Sequence, residues 1–342
     1  MLATRPIKGC HRVHATGTEH NDFHCHRAEK HKTDGKQSFS AGHPPPAFSF
    51  LSHPVPSMII FHDPQCADYG ATAQHEQPAR AGTTVALLRA KHLDWQWRLP
   101  PIADEEVLKL VHSPQHLERL QYAADFDEDT PYFENIYTHA RRSVGAALAA
   151  MEAALDEKQK TFALMRPPGH HALPSQAMGF CYLNQIAITA LAAQKRGIAR
   201  VAVWDFDAHH GNGTEDILHG RDGILFVDVH EDPAYPNTGK VTSGNCRNYC
   251  VAPNSTREEH MAALRRSWSE VLAFRPELVL VSAGFDAYAR DPITEMSLEA
   301  EDFAELGRWL AAAQLPTAVI LEGGYSADLP LLVDSFLTTW AM

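Results

Sequence analysis

One stretch of the sequence decides the predicted fold: Val201-Ala-Val-Trp-Asp-Phe-Asp-Ala-His-His-Gly-Asn-Gly-Thr214. It begins with an apolar run typical of a buried parallel strand and ends in a turn with two glycines. Residues two apart on an extended segment point the same way, so Asp205, Asp207 and His209 can share one face. Asp207 and His209 can then bind one ion. Such side chains after a central strand are typical of a ligand or metal site in an α/β sheet.

Strand-like and helix-like segments alternate along most of the remaining chain. Strands are predicted at 58–62, 162–165, 201–204, 224–229, 278–282 and 318–321. Helices are predicted at 83–90, 113–120, 141–155, 184–196, 257–274, 298–313 and 329–340. Strands that alternate with helices form βαβ units, in which the strands are parallel. We therefore expect an α/β fold with three layers, αβα, around a mostly parallel central sheet.

Composition and charge restrict the possible partners. The 342 residues include 30 Lys and Arg and 42 Asp and Glu, which gives a net charge of −12. This balance argues against direct binding of nucleic acid and against docking on an acidic membrane surface. No apolar run is long enough to span a membrane. Six scattered cysteines, without zinc-knuckle spacing, predict reduced thiols in a cytoplasmic protein. The oligomeric state stays open.

Residues 1–56 differ in composition from the rest of the chain. They hold 8 of the 21 histidines, several prolines and few aliphatic residues. Their 7 basic and 4 acidic residues give this segment a charge of +3, against −15 for the remainder. A segment of this kind buries too little apolar surface to order itself. We therefore predict a disordered, His-rich N-terminal extension before a folded domain at 57–342.

Polar clusters follow five of the predicted strands. Because the carboxyl ends of parallel strands meet at one edge of a sheet, these clusters can converge on a single site. They are Arg166-Pro-Pro-Gly-His-His171, Asp205 to Gly213, His230-Glu-Asp232, Ala283-Gly-Phe-Asp286 and Glu322-Gly-Gly-Tyr325.

The residue types in these clusters indicate a catalytic metal site. Asp207, His209 and Asp286 offer two carboxylates and one imidazole, which leaves an open position on a divalent ion. The adjacent His170 and His171 lie in a loop stiffened by proline and can act as general base and general acid, because imidazole titrates near neutral pH.

Three further side chains fit supporting roles in the same site. A histidine near a metal usually needs a carboxylate or an amide to fix its tautomer, and Asp205 and Asn212 are the nearest candidates. Tyr325 follows two glycines, which let the backbone approach closely. Its phenol can donate a hydrogen bond to a developing oxyanion.

These motifs resemble those of the histone deacetylase / acetylpolyamine amidohydrolase superfamily, in the order that the family has them. The resemblance covers 58–342 and implies an arginase/deacetylase-like fold for a catalytic domain. Residues 1–56 resemble nothing in the family. The matching segments are Arg166-Pro-Pro-Gly-His-His-Ala172, Gly179-Phe-Cys-Tyr-Leu-Asn184, Asp205-Phe-Asp-Ala-His-His-Gly-Asn-Gly-Thr214, Ala283-Gly-Phe-Asp286 and Glu322-Gly-Gly-Tyr325.

The resemblance implies a role for each member of the metal site. Asp207, His209 and Asp286 match the zinc ligands of the family, which binds one catalytic zinc per chain. His170 and His171 match its tandem catalytic histidines, and the second is the one usually assigned as general base and acid.

The same resemblance assigns the supporting residues. Asp205 matches the carboxylate behind the first histidine. Asn212 stands where some members have Asp behind the second, and Asn there resembles the class II and bacterial branches. Tyr325 matches the tyrosine that polarises the scissile carbonyl. The family also binds a structural potassium ion beside the zinc, through the segment of Asp205, Asp207 and His209.

Four residues match the substrate-binding tunnel. Gly179 and Phe180 match one wall of the acyl-lysine tunnel. Tyr235, after the His230 motif, is the best candidate for the opposite wall, where the family usually has phenylalanine. Asp129 matches the rim carboxylate that binds the substrate backbone.

The activity that this implies is zinc-dependent removal of acetyl or other acyl groups from acetyl-lysine or a related acylated amine, by metal-activated water. An acetylpolyamine deacetylase is the alternative, because the acidic loop at 125–129 would attract cations, whereas the short loop at 71–80 favours acetyl-lysine. A ureohydrolase would need more aspartates around a metal pair. A non-catalytic binding protein would usually have lost a ligand or Tyr325. The acyl chain length and the choice between zinc and ferrous iron stay open.

Overall fold

The computed structural model describes residues 57–71 and 74–342 of the chain. The predicted N-terminal extension, residues 1–56, lies outside the described residues. The described strands are β1 (Ile59–Phe61), β2 (Gln96–Arg98), β3 (Thr161–Ala163), β4 (Val201–Asp205), β5 (Ile224–Glu231), β6 (Cys246–Val251), β7 (Leu278–Ala283) and β8 (Thr317–Leu321). They form one sheet in the order β2-β1-β3-β8-β7-β4-β5-β6, and each pairing between them is parallel.

Helices cover both faces of this sheet, which confirms the predicted three-layer α/β fold. They are α1 (Ala79–Lys91), α2 (Glu105–Leu108), α3 (Pro114–Arg119), α4 (Ile136–Glu152), α5 (Gln185–Lys195), α6 (Asn212–Leu218), α7 (Arg257–Phe274), α8 (Ala300–Ala313) and α9 (Leu329–Ala341). A 3₁₀ helix at Pro64–Ala67 and a π-helical turn at Ala153–Glu157 complete the described helical structure. None of the described helices is long and apolar enough to cross a membrane.

Strand β4 shows why the central strands are continuously apolar. Its side chains alternate between two buried layers, because successive residues of a strand point to opposite faces. Ala202 and Trp204 pack into the core that α1, α7, α8 and α9 cover. Val201 and Val203 pack into the core that α4, α5 and α6 cover. Because helices cover both faces of β4, its side chains are apolar on both faces until the strand reaches Asp205.

The edge strands of the sheet were not predicted from the sequence. β2 and β6 lie at the two edges, and several of their side chains are partly or fully exposed. An edge strand with one polar face lacks the apolar run that identifies β4. Helix α6 was also not predicted, because it begins at Asn212, inside the polar motif. Helix α4 begins at Ile136, five residues before the predicted start at 141.

Candidate active site

The carboxyl ends of β3, β4, β7 and β8 bring four of the five polar segments together. The backbone N–H of Gly323, after β8, donates to Asp207 Oδ2 at 2.7 Å. The backbone N–H of Ala208, after β4, donates to Asp286 Oδ1 at 2.8 Å. The segments are thus joined by hydrogen bonds between the ends of separate strands. This is the convergence that the sequence predicts.

The fifth segment forms the end of β5, and it reaches the site only through the residues that follow it. His230 is fully buried, and its Nδ1 lies 2.7 Å from Asp228 Oδ1, so its imidazole belongs to a separate hydrogen-bonded pair. Tyr235, five residues later, has its ring centroid 5.2 Å from that of His171. The segment therefore supplies the phenol ring of Tyr235 to the site, while the imidazole of His230 stays outside the cavity.

Asp207, His209 and Asp286 form a buried group of metal-ligand type. His209 Nδ1 lies 3.2 Å from Asp207 Oδ1 and 3.0 Å from Asp286 Oδ2. Burial opposes a charge on His209, but hydrogen bonds with the two carboxylates outweigh it and raise its pKa to about 10. Two buried carboxylates require a positive charge beside them. Their oxygens and the imidazole nitrogen are a donor set that suits a first-row divalent ion, so the residues fit a catalytic metal.

Three buried groups in the described part of the chain have side chains close enough to share a metal ion, with ligand atoms within 4.8 Å of one another. They are His170 with Cys181 and Glu322, His210 with Asp228 and His230, and Asp207 with His209 and Asp286. Of these residues, His209 is the one that lines the cavity described below. The third group is therefore the one placed to meet a substrate.

The tandem histidines each contact one orienting side chain. His170 Nδ1 lies 3.1 Å from Asp205 Oδ2, and His171 Nδ1 lies 2.8 Å from Asn212 Oδ1. An amide oxygen only accepts hydrogen bonds, so His171 carries its proton on Nδ1 and keeps a lone pair on Nε2. Their ring centroids are 4.0 Å apart.

Burial and neighbouring charges shift the pKa values of His170 and His171 in opposite directions. Burial, together with the charges of His170 and His209, holds the pKa of His171 well below its usual range. Burial also opposes a charge on His170, but the carboxylates of Asp207 and Asp205 outweigh it and raise the pKa of His170 well above its usual range. His171 is therefore the ring that is neutral and able to accept a proton.

Tyr325 is fixed by contacts on its ring and on its backbone. The guanidinium of Arg80 lies 4.7 Å from the ring centroid, and the ring of Phe180 lies 5.7 Å from it. The backbone N–H of Tyr325 donates to Asp291 Oδ2 at 2.7 Å. Burial raises the pKa of the phenol well above its usual range, so the hydroxyl stays protonated and can donate a hydrogen bond.

A cavity of about 290 Å³ connects these residues with the surface. Phe180 and Tyr235, the two predicted tunnel walls, both line it. Gly179 has a φ of +56°, and a Cβ there would lie 2.5 Å from the His171 ring, so only glycine lets this wall approach the histidine. The lining residues are His75, Asp129, His171, Gly179, Phe180, His209, Tyr235, Ile293 and Tyr325.

Asp129 lies at the mouth of this cavity, on the acidic loop. Its side chain is exposed, and it also lines a neighbouring cavity of about 120 Å³. Both cavities share Asp129, His75 and Phe180. The structure thus places every predicted site residue at or beside one cavity, and their roles stay predictions.

Sequence reasoning missed several residues of the site. His75 and Ile293 line the cavity, and Arg80 and Asp291 support Tyr325. All four lie in segments without a strand directly before them, so the rule that polar residues follow strands did not find them. Glu322 stood inside a quoted motif, but no role was predicted for it.

Comparison with known proteins assigns the family. The histone deacetylase domain matches residues 74–338. The chain belongs to the histone deacetylase family. A histone deacetylase-like amidohydrolase of Pseudomonas aeruginosa is 39% identical over 281 residues, which are 75% of this chain and 74% of that protein. A probable deacetylase of Methanothermobacter thermautotrophicus is 33% identical over 287 residues, 79% of this chain and 86% of that protein.

A solved member of the family has the same fold. The crystal structure of the acetylpolyamine aminohydrolase from Burkholderia pseudomallei superposes with a TM-score of 0.76 at 27% identity. The superposition covers 83% of this chain and 98% of that one. The family match at residues 74–338 includes the five polar segments, so this histone deacetylase family member carries its candidate site within the family domain.

Proposed function

We propose that this protein is a zinc-dependent amidohydrolase that removes acetyl groups from acetyl-lysine or a related acylated amine. The observation that carries the proposal is the cavity lined by His171, Tyr325 and His209, with Asp207 and Asp286 buried directly behind His209. A general base, a hydrogen-bond donor and a metal-ligand group in one cavity are the parts that amide hydrolysis requires.

Zinc held by Asp207, His209 and Asp286 would make a water molecule more acidic and polarise an amide carbonyl. His171 Nε2 accepts a proton from the attacking water, because the Asn212 amide holds the other proton on Nδ1. The protonated ring then passes this proton to the leaving amine. His170, paired with Asp205, keeps a positive charge beside the reaction. A potassium ion beside Asp205 belongs to the same proposal.

Tyr325 stabilises the oxyanion that forms when water attacks the carbonyl. Its hydroxyl keeps its proton at neutral pH, so it donates a hydrogen bond as negative charge develops. The walls of the cavity suit the rest of the substrate. Phe180 and Tyr235 form an aromatic slot for an aliphatic chain, and Asp129 at the mouth can accept hydrogen bonds from a substrate backbone.

An acetylpolyamine deacetylase is the second candidate, and a specific observation favours it. Asp129 and Glu128 both line the cavity beside the mouth, and carboxylates at an entrance attract cationic substrates. The solved relative from Burkholderia pseudomallei is itself an acetylpolyamine aminohydrolase. A free polyamine is a cation along its length, whereas an acetyl-lysine peptide presents a backbone to Asp129.

One assay distinguishes the two candidates. Turnover of an acetyl-lysine peptide and of N-acetylputrescine is measured with one zinc-loaded preparation, each with and without a chelator. Faster cleavage of the peptide, abolished by the chelator, supports the lysine deacetylase. Faster cleavage of N-acetylputrescine supports the polyamine enzyme. If neither is cleaved by metal-loaded protein, acetyl-amine hydrolysis is wrong for this site.

A further inference from the structure

Glu322 is a buried carboxylate beneath the tandem histidines, and the proposed reaction does not use it. It follows β8 directly, and its side chain is fully buried. Its Oε2 accepts hydrogen bonds from the backbone N–H of Gly169 at 2.7 Å and of His170 at 3.2 Å. A carboxylate in this position contacts the turn that carries the histidines and none of the three metal-ligand residues by hydrogen bond.

The sequence explains why this turn needs an acceptor. Pro167 and Pro168 have no N–H, so Gly169 and His170 carry the first backbone donors after Arg166. Both residues are buried, and a buried N–H without a partner destabilises the fold. The Gln185 amide also lies against Gly169, and with its amide turned its oxygen accepts from Gly169 N at 3.0 Å. For His170 N, the acceptor is Glu322.

Arg80 connects the backbone of Glu322 to the segment of Tyr325 by hydrogen bonds. Arg80 donates to the backbone oxygen of Glu322 and, at 2.7 Å, to that of Gly324. On the other side, the carbonyl of His170 accepts from the N–H of Thr214 at 3.0 Å. Glu322 therefore stands between the histidine turn and the tyrosine segment, and it contacts both.

We propose that Glu322 is a positioning residue: its carboxylate fixes the turn of His170 and His171 relative to Tyr325 by accepting the backbone N–H groups of Gly169 and His170. The inference rests on the proposed amide hydrolysis for its kinetic consequence. Its structural part, the hydrogen bonds themselves, stands apart from the reaction. Misplacement of a catalytic group by about 1 Å can cost about 10²-fold in rate, so a lost acceptor here affects turnover more than substrate affinity.

Two variants of equal length separate the acceptor from the charge and from packing. Glu322→Gln keeps an acceptor oxygen and removes the charge, and Glu322→Met keeps the volume and removes the acceptor. We expect kcat of Glu322→Met to fall by about 10- to 100-fold with KM within about 3-fold of the wild type. Glu322→Gln is expected to retain kcat within about 3-fold. Asp334→Ala, which removes a buried carboxylate that pairs α9 with Lys91 and His92, is the matched control and leaves kcat unchanged.

Hydrogen exchange tests the same contacts without any assay of activity. Pro167 and Pro168 have no amide hydrogen. In a peptide that starts at Leu164, the first exchangeable amides after Arg166 are therefore those of Gly169, His170 and His171. We expect these amides to be protected in the wild type and in Glu322→Gln and to exchange at least about 10-fold faster in Glu322→Met. If Glu322→Met does not fold, Glu322→Ala, with a smaller side chain, takes its place.

The outcomes separate the failure of this inference from failure of the proposed function. Unchanged kcat and unchanged exchange in Glu322→Met would overturn the positioning role. A kcat for Glu322→Gln as low as that of Glu322→Met would also overturn it, because the charge would then matter and not the acceptor. A wild type that cleaves no acylated amine while exchange still responds to Glu322→Met would overturn the proposed function and leave the hydrogen-bonded turn established.

Discussion

At the scale of single residues, Tyr325 shows how the chain prepares one hydroxyl for donation. The Arg80 guanidinium lies against its ring, Asp291 holds its backbone, and burial keeps its proton on. The sequence indicated this residue because it follows two glycines at the end of a strand. It did not indicate Arg80 or Asp291, which reach Tyr325 from distant parts of the chain.

We expect Tyr325→Phe to lower kcat by about 10²-fold or more, because the oxyanion loses a hydrogen-bond donor. Zinc content should stay unchanged, since the hydroxyl is not a ligand. Steady-state kinetics with elemental analysis check both. Tyr249→Phe is the control, because its hydroxyl donates to Glu270 at 2.7 Å on the far edge of the sheet. Turnover of Tyr325→Phe near that of the wild type would remove this residue from the mechanism.

Asp286→Ala should lose zinc, because it removes one of the two carboxylates of the proposed ligand set. Elemental analysis of the purified variant is the direct measurement. Asp302→Ala provides a comparison, since Asp302 is also buried but accepts the backbone N–H of Glu299 at the start of α8. A full zinc complement in Asp286→Ala would contradict the proposed ligands.

The metal-site residues that the pattern alone predicted lie at or just after the end of an apolar strand, whereas Gly179, Phe180, Tyr235 and Asp129 came from the family resemblance. Asp205 and Asp286 belong to the first group, and the parallel sheet alone brings them together. His75 and Ile293 do not, because loops from other parts of the chain carry them to the cavity. Long-range loop packing leaves no local pattern in a sequence, so contacts of this kind were not predictable.

At the scale of helices and strands, burial on both faces decided which elements could be predicted. β4, β5 and β7 are apolar throughout their first residues, and their positions were predicted to within two residues at each end. Helix α7 begins and ends where predicted, at Arg257 and Phe274, and a capping box of Thr256 and Glu259 fixes its start. β2 and β6 are edge strands, and a half-exposed strand resembles a loop in sequence.

The connection between α2 and α3 contains a histidine that must stay neutral. His112 Nε2 accepts from the backbone N–H of Asn184 at 2.9 Å, and its Nδ1 donates to the carbonyl of Leu173 at 3.1 Å. Burial, with the charge of His116, lowers the pKa of His112 to about 3. In an unfolded chain the pKa is about 6.5, so the folded state binds fewer protons at acidic pH.

The stability that neutral, buried His112 contributes is fully present above pH ~6.5, the pKa in the unfolded chain. It is lost as the pH falls toward the pKa of His112 in the folded protein. Acidification from pH ~7 to pH ~5 should therefore lower the free energy of unfolding by about 2 kcal/mol. His112→Gln should be less stable at neutral pH and should lose correspondingly less on acidification. Urea unfolding at both pH values measures the difference. Equal losses in the two proteins would show that His112 does not titrate in this way.

At the scale of the whole molecule, the folded domain should not depend on residues 1–56. Their composition is too polar to contribute to a core, whereas Ile59 and Ile60 of β1 are fully buried. We expect removal of 1–56 to change the unfolding temperature by no more than about 2 °C. Removal of 1–61 also deletes β1, which lies between β2 and β3, and should abolish cooperative unfolding. A large loss of stability in the shorter deletion would contradict the domain boundary.

The position of β8 has a consequence for how the chain is made. This last strand in the sequence lies in the middle of the sheet, where β3 and β7 are its neighbours. Until Thr317–Leu321 emerges from the ribosome, the two halves of the sheet have no common strand to pair with. Asp207, His209 and Asp286 are synthesised earlier, but the turn of His170 and His171 meets them only when β8 is inserted. β4 and β7 pair directly with each other, so we expect the metal-ligand residues to come together before β8 is inserted and activity to arise only afterwards.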